Sequence, residues 1–495
     1  MSGRWMLAAA LLVLAGGFWF YSRLIKKDAK GAENPFPARE RWTGLGQLAA
    51  SCLGLPLMIS PFAAMQWGWA PALAAAVGGG ILFGAAQNLA VSGCLTAQEG
   101  ENRESAAEGR SISGWKRRAA AALVWLLAVL AAAAAGHTAA ASFRGFVETE
   151  SGELLRNSVG AAGAASCVIL CVGAAGLGIV CRYRNVSRLV KAVAVCLVIL
   201  DSAWLGKTYP IYLEETVWLV GIFLLAFFSG LIPAWVQTRP RGQILLVLAG
   251  IVLAAGCAGV LAGNQQPAVE AFEMPDSASA GLWAFLAVLL WGTVSGFDGA
   301  ALAVSPLRYQ KQSDFERAAV GAALLKSLCA VLGLLLSFAL VRSDAAAMGL
   351  EEAPQFFAAA AADLLAGAGI PYDFTIALFL MAACSFLLAM LDTAVRTGTL
   401  AFREMTRRPG GKCAGGQAGW GTGAAATLIP AFAAAMLARH LAARVFAAAS
   451  FAAVLLLLAL CGSSLRRRGK KGWILWIGAA LLLAGAVLSC LLPAM

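Results

Sequence analysis

Residues 51–69, SCLGLPLMISPFAAMQWGW, decide how the fold is interpreted. The stretch is apolar enough to lie in a bilayer, yet Gly54, Pro56, Ser60 and Pro61 stand in its middle. A proline inside a helix frees a backbone carbonyl, which lipid tolerates only where protein or a polar cavity satisfies it. The stretch therefore predicts a membrane helix that is interrupted beside a polar site.

The composition of the whole chain indicates a polytopic α-helical membrane protein. Of its 495 residues, 60% are hydrophobic and only 13% are charged, and the mean hydropathy is +0.76. Apolar runs of about 20 residues, the length that crosses a bilayer, recur along the sequence. The fourteen predicted spans are 5–25, 44–66, 70–97, 118–143, 158–181, 187–207, 216–236, 243–263, 280–304, 318–342, 376–404, 419–437, 442–463 and 472–493.

The charges of the loops predict the orientation of these spans. Basic loops alternate with acidic or neutral ones, and loops rich in lysine and arginine remain in the cytoplasm. The basic loops are 26–43, 98–117, 182–191, 237–242, 305–317, 402–418 and 464–471. The alternation places both termini outside the cytoplasm. Since the net charge of +12 lies in these loops, without aromatic interleaving, we expect the lipid bilayer as a partner and not nucleic acid.

Two further spans are interrupted by small residues and proline. One contains FFSGLIPAW (227–235) and the other contains VSGFDGAALAVSP (294–306). Interrupted helices at matching positions of two halves point to the binding site of a secondary transporter. Five spans from 44–207 and five from 216–404 each begin with an interrupted helix, and they start from opposite sides of the membrane. The predicted fold class is therefore all-α, with about 14 transmembrane helices around an inverted five-helix repeat.

This repeat sets the predicted domain organisation. An N-terminal helix and basic cytoplasmic loop (1–43) precede the transport core (44–404), and C-terminal helices follow (405–495). Within the outside segment 343–375, the stretch APQFFAAAAADLLAGAG (353–369) predicts a short re-entrant or surface helix. No separate soluble domain is expected.

Few ionisable or polar groups lie inside the spans, where a charge costs roughly 3 kcal/mol or more. Asp392 and Arg396 stand four residues apart on one helix face, so they can pair, either as a structural element or as part of a transport site. Asp298 has no local partner and fits an ion, proton or substrate role, or else a salt bridge to another helix. Gln87 and Asn88 fit interhelical hydrogen bonds and substrate contacts equally well.

Five ordered motifs resemble those of a known family. SPFAAMQWGWAP (60–71), followed by GAAQN and TAQEG, precedes LIPAWVQTRPR (231–241), WGTVSGFDGA (291–300) and FLLAMLDTAVRTG (386–398). In sequence and order they resemble the carbon starvation protein A family of bacterial peptide and pyruvate transporters. The resemblance runs from about residue 40 to about residue 405 and implies the inverted five-helix core of the amino acid–polyamine–organocation superfamily.

The resemblance also assigns a transport path and shows where this chain departs from the family. The family's histidine after Ser-Gly-Phe is Asp298 here, its aspartate after Gln87 is Asn88, and its paired histidines before the first interrupted helix are missing. Together with the interrupted helices, the motifs give a predicted substrate and ion path of Gly54, Pro56, Ser60, Pro61, Gln66, Gln87, Asn88, Pro233, Trp235, Ser295, Gly296, Phe297, Asp298, Asp392 and Arg396.

The predicted function is a secondary active transporter of the bacterial cytoplasmic membrane. It would import a small organic solute, a peptide or a pyruvate-like carboxylate, by alternating access coupled to H⁺ or Na⁺. No catalytic residues, metal or cofactor are expected, because the sequence has no Ser/His pair, H-E-x-x-H motif or carboxylate cluster typical of an enzyme. The alternative, favoured by the missing histidines and Asn88, is a non-transporting sensor or scaffold that retains the transporter fold. The sequence does not indicate an oligomeric state.

Overall fold

The structure is a computed structural model, and it describes most of the predicted membrane-embedded part of the chain. The described residues are 3–25, 50, 52–54, 57–58, 60, 68–89, 114–148, 153–184, 186–232, 236, 238–262, 270–272, 312–337, 352–366, 369–406, 417–438, 452–453, 455–456, 459–460, 473 and 476–477.

Within this part the chain is helical almost throughout. The helices are α1 (Gly3–Leu24), α2 (Trp69–Gly79), α3 (Gly114–Ser142), α4 (Ser158–Tyr183), α5 (Arg188–Thr208), α6 (Glu215–Leu231), α7 (Thr238–Ala262), α8 (Gln312–Ser337), α9 (Ala353–Ala366), α10 (Tyr372–Thr406) and α11 (Gln417–Ala438). Between α3 and α4, strand β1 (Phe146–Glu148) pairs antiparallel with β2 (Leu154–Arg156), with Val147 opposite Leu155.

Eight of the described helices are long and apolar enough to cross a membrane: α1, α3, α4, α5, α7, α8, α10 and α11. Each coincides with a span predicted from hydropathy, and α2 and α6 are shorter apolar helices inside two further predicted spans. The chain is therefore a multi-pass membrane protein. The predicted span 280–304 lies outside the described residues.

Helix α10 lies at the centre of the bundle. It packs against α3, α4, α5, α6, α7, α9 and α11. Every residue from Phe379 to Asp392 is buried, so this part of the helix is enclosed on all its faces. A helix that is apolar around its whole circumference belongs in such a position, and α10 carries its few polar groups into the interior with it.

Small residues bring the helices close together. A Cβ atom on Gly206 of α5 would overlap Ser166 of α4, and a Cβ atom on Gly163 would stand 2.7 Å from the Leu380 side chain of α10. Small residues at such crossings allow helix backbones to approach closely in membranes. The high alanine and glycine content therefore serves the packing of α4, α5 and α10.

Ion pairs join helix ends that the loop charges predict to share one side of the membrane. Arg144, after α3, donates to Glu352 at 2.6 Å, and Lys207 at the end of α5 donates to Asp373 at the start of α10 at 2.9 Å. These contacts hold the end of α3 at the start of α9 and the end of α5 at the start of α10.

Three features of the fold differ from the sequence prediction. Helix α6 ends at Leu231, short of the predicted end of the span at residue 236, and Ile232 is extended with ψ of 139°. The cause is that a residue before proline is forced out of the helical region. The stretch Gly80–Gly84 is π-helical, which hydropathy did not predict. Helix α9 is mostly buried, so the surface alternative for it was wrong.

Candidate functional site

A buried ion pair lies in the second half of α10. Arg396 Nε donates to Asp392 Oδ2 at 3.1 Å, which is the helical i, i+4 pairing that the sequence predicted. The second carboxylate oxygen, Oδ1, accepts a hydrogen bond from Ser229 Oγ of α6 at 3.3 Å. The Arg396 guanidinium also lies 5.9 Å from the centre of the Trp420 ring. Both oxygens of Asp392 are therefore engaged by protein donors.

A third charged group, Arg241 of α7, faces the same place. Together with Ser229 and Asp392 it lines a small pocket between α6, α7 and α10, which we call the charged pocket. Its remaining walls are apolar and are formed by Ile222, Leu225, Ala226, Leu388 and Leu391. The pocket has room for about one water molecule. Two guanidinium groups and one carboxylate thus meet at this point of the bundle.

The burial of Arg241 corrects the sequence prediction, which placed it in the basic cytoplasmic loop 237–242. Helix α7 begins at Thr238, so Arg241 lies in its first turn, and its exposed fraction is only 8%. A charge at the edge of an apolar run is normally solvated. Here the packing of α6 and α10 covers it, which hydropathy along one segment does not reveal.

A second group of buried polar side chains lies along α8. We call Ser60, Gln87, Asn88 and Ser327 the polar seam. Asn88 Nδ2 donates to the carbonyl of Ala319 at 3.0 Å. In the described part of the chain, Ser60 Oγ, both polar atoms of Gln87, Asn88 Oδ1 and Ser327 Oγ are buried without a hydrogen-bond partner. Buried polar atoms are normally paired, so the seam holds unused donors and acceptors.

Glycines bring the seam together, and a buried lysine stands beside it. Gly80, the first residue of the π-helical stretch, abuts Ser327, and Gly333 of α8 abuts the carbonyl of Leu57. Lys326, next to Ser327, is only 2% exposed in the middle of α8. The seam therefore combines neutral hydrogen-bonding groups with a neighbouring cation.

The described residues of the stretch 52–60 connect the two groups. A Cβ atom on Gly54 would stand 3.6 Å from the Phe386 carbonyl oxygen and 3.7 Å from Met390 Sδ of α10, within the two helical turns before Asp392. Cys52 Sγ donates to the carbonyl of Ala322 in α8 at 3.7 Å. The first interrupted segment therefore lies between the helix of the charged pocket and the helix of the polar seam.

Comparison with known proteins identifies the family. The family model described as carbon starvation protein CstA matches residues 2–355, which is more than two thirds of the chain. The chain belongs to the carbon starvation protein CstA family. The match includes four of the five motifs, whereas 386–398, with Asp392 and Arg396, lies beyond it.

The other comparisons add little to the family assignment. No curated protein matches the chain. Among solved structures, the manganese transporter of Eremococcus coleocola, in complex with an aromatic bis-isothiourea substituted compound, is similar at 14% identity with a TM-score of 0.36. The alignment covers 94% of this chain and 90% of that chain. A TM-score of this size carries no argument about fold or function.

The structure places some of the residues predicted for the path of this CstA-family protein and leaves the others outside its described part. Ser60 and Asn88 lie against different turns of α8, at Gly333 and Ala319, and Gln87 is buried next to Asn88 in the chain. Gly54 lies beside α10, and Asp392 pairs with Arg396. The predicted path residues outside the described part are Pro56, Pro61, Gln66, Pro233, Trp235, Ser295, Gly296, Phe297 and Asp298.

The sequence prediction missed four residues that lie in or beside the two polar groups. Arg241 is the arginine of the Pro-Arg pair in LIPAWVQTRPR, and that motif was the signal for it. Lys326 and Ser327 stand in the middle of the apolar run 318–342, where a lysine is expensive and therefore informative. No sequence feature marked Ser229 as functional, apart from its position before Gly230 in the predicted interrupted stretch.

The arrangement suits the binding of small polar solutes. Because Asp392 is already hydrogen-bonded to Arg396 and Ser229, the Arg241 guanidinium in the charged pocket can accept an anion. The polar seam offers amide and hydroxyl groups that can replace water around a carbonyl, an amide or a small cation. Together the charged pocket and the polar seam provide hydrogen-bond donors and acceptors inside a membrane bundle.

Proposed function

We propose that this protein is a secondary active transporter that imports a small organic solute, a peptide or a pyruvate-like carboxylate. It would work across the bacterial cytoplasmic membrane by alternating access, driven by a proton or sodium gradient. The observation that carries the proposal is the charged pocket inside a multi-pass protein of the CstA family. Ionisable residues inside membrane spans are expensive and mark substrate or ion pathways.

The proposed architecture has fourteen spans, with both termini outside the cytoplasm. The transport core comprises residues 44–404, built from the inverted repeats 44–207 and 216–404, and is flanked by the segments 1–43 and 405–495. Interrupted helices in the two repeats would offer unpaired backbone groups to the solute and the coupling ion. The eight described membrane helices support this architecture because each falls on a predicted span.

In the proposed mechanism the charged pocket and the polar seam lie along one path. The pocket has room for about one water molecule, so a solute would enter it only when helices move apart. The segment 52–60 contacts both α10 and α8, so its displacement would act on both polar groups at once. Asp392, or Asp298 in the third helix of the second repeat, would carry the coupling proton or Na⁺.

Uptake into proteoliposomes tests the proposal. The purified protein would be reconstituted and offered labelled pyruvate, dialanine and trialanine, each with an inward proton gradient, an inward sodium gradient or no gradient. We expect accumulation of at least one probe above its external concentration, abolished by an ionophore that collapses the driving gradient. If no probe is taken up or stabilises the protein against heat, the transporter is refuted and the non-transporting sensor or scaffold is favoured.

A further inference from the structure

The guanidinium group of Arg241 is buried beside Asp392, and no hydrogen bond joins the two residues. Its exposed fraction is 8%, and in the described part of the chain its Nη2 atom has no hydrogen-bond partner. It points into the charged pocket, whose lining it shares with Ser229 and Asp392. A desolvated guanidinium with an unused donor is an uncommon arrangement, since arginine is rarely buried unless paired.

The carboxylate in this pocket is already committed. Asp392 Oδ2 accepts from Arg396 and Oδ1 accepts from Ser229, so neither oxygen is hydrogen-bonded to Arg241. One carboxylate and two guanidinium groups leave one positive charge in excess. Among the described residues of the pocket and its ion pair, positive charge therefore exceeds negative charge by one, and a buried charge without a partner is strongly destabilising.

We propose that Arg241 is the residue that binds the carboxylate group of the transported solute, an inference that rests on the proposed function. Guanidinium presents two parallel N–H donors that match the two oxygens of a carboxylate. Its position in the first turn of α7 adds the positive end of the helix dipole. Arg396 is already hydrogen-bonded to Asp392.

The same geometry sets the solute class. Asp392 repels a second negative charge near the bound group, and Leu225 and Leu388 form an apolar wall beside it. The site therefore favours a solute that carries one carboxylate beside an apolar group. Replacing that carboxylate with a neutral amide removes the charge that Arg241 requires.

Competition by matched probes tests this inference in the unaltered protein. Uptake of labelled pyruvate and dialanine would be measured against unlabelled pyruvamide and dialanine amide, which differ from them only at the carboxylate. We expect the amides to compete about tenfold or more less well than the carboxylates. Equal competition by the amides, in a protein that does take up the labelled probes, would overturn the role of Arg241 and leave transport intact.

Variants of Arg241 locate the effect. In Arg241→Gln we expect the KM for the carboxylate probes to rise about tenfold or more, while inhibition by the amides stays as in the wild type. Arg241→Lys keeps the positive charge but lacks the two parallel N–H donors, so its discrimination between carboxylates and amides should be intermediate. Arg184→Gln, which removes an exposed guanidinium after α4, is the control and should behave as the wild type.

The outcomes separate the two levels of the proposal. If Arg241→Gln discriminates between the carboxylates and the amides as the wild type does, other residues determine the selectivity. If Arg241→Gln does not fold, the same result in Arg241→Lys leads to the same conclusion. No uptake of any probe by the wild type would instead refute the proposed function itself. A loss of discrimination in Arg241→Gln and not in Arg184→Gln supports Arg241 as the carboxylate-binding residue.

Discussion

Replacement of Asp392 by asparagine is the sharpest perturbation of the charged pocket. Asparagine has nearly the size of aspartate, so Asp392→Asn removes the charge and leaves the packing of α10 almost unchanged. Arg396 then loses its 3.1 Å partner, and Arg241 loses the carboxylate that lines its pocket. The expected result is that both guanidinium groups lose the carboxylate that now faces them.

The size of the effect follows from the burial of the pair. Removing one partner of a buried ion pair costs about 3–5 kcal/mol. The Arg396 side chain is 23% exposed and lies over Trp420, which compensates part of its charge, so we expect about 3 kcal/mol. The double variant Asp392→Asn/Arg396→Gln removes the stranded charge as well and should recover about half of the loss.

The free energy of unfolding in mixed micelles, measured by titration with SDS and followed by circular dichroism, provides the assay. Asp373→Asn is the matched control on the same helix, because the Asp373 side chain is 75% exposed and its pair with Lys207 is worth about 1 kcal/mol or less. If Asp392→Asn is as stable as Asp373→Asn, the ion pair does not carry the burial cost assigned to it here.

Two other substitutions have definite expected outcomes. Gly333→Ala places a Cβ atom against the carbonyl of Leu57 and should lower the free energy of unfolding by about 1–3 kcal/mol, whereas Gly321→Ala on the same helix meets open space and should be neutral or slightly stabilising in the same SDS titration. Asp298→Asn should reduce gradient-driven uptake, and wild-type rates between about pH 5 and pH 8 would remove Asp298 from the mechanism.

The sequence predicted the membrane helices well because hydropathy is a local property. Each membrane-crossing helix among the described residues lies on a predicted span, since about 20 consecutive apolar residues can satisfy their backbone only as a helix in lipid. The pairing of Asp392 with Arg396 was predictable for the same reason, because a spacing of four residues fixes their proximity without tertiary information.

The composition of the two polar groups was not predictable, because it depends on contacts between distant segments. Asn88 meets Ala319 across 231 residues of sequence, and Ser229 meets Asp392 across 163. Arg241 has the appearance of a loop charge until α6 and α10 are placed over it. Periodicity and hydropathy describe one helix at a time, so they cannot show which neighbour covers a given face.

The most direct test of the central claim compares accumulation of labelled pyruvate and dialanine by three proteins in parallel: the wild type, Asp392→Asn and the control Asp373→Asn. With the driving gradient imposed, the wild type and Asp373→Asn should concentrate at least one probe, and Asp392→Asn should lose about nine tenths or more of that accumulation. Accumulation by Asp392→Asn equal to that of the wild type would contradict the assignment of the charged pocket as the transport site.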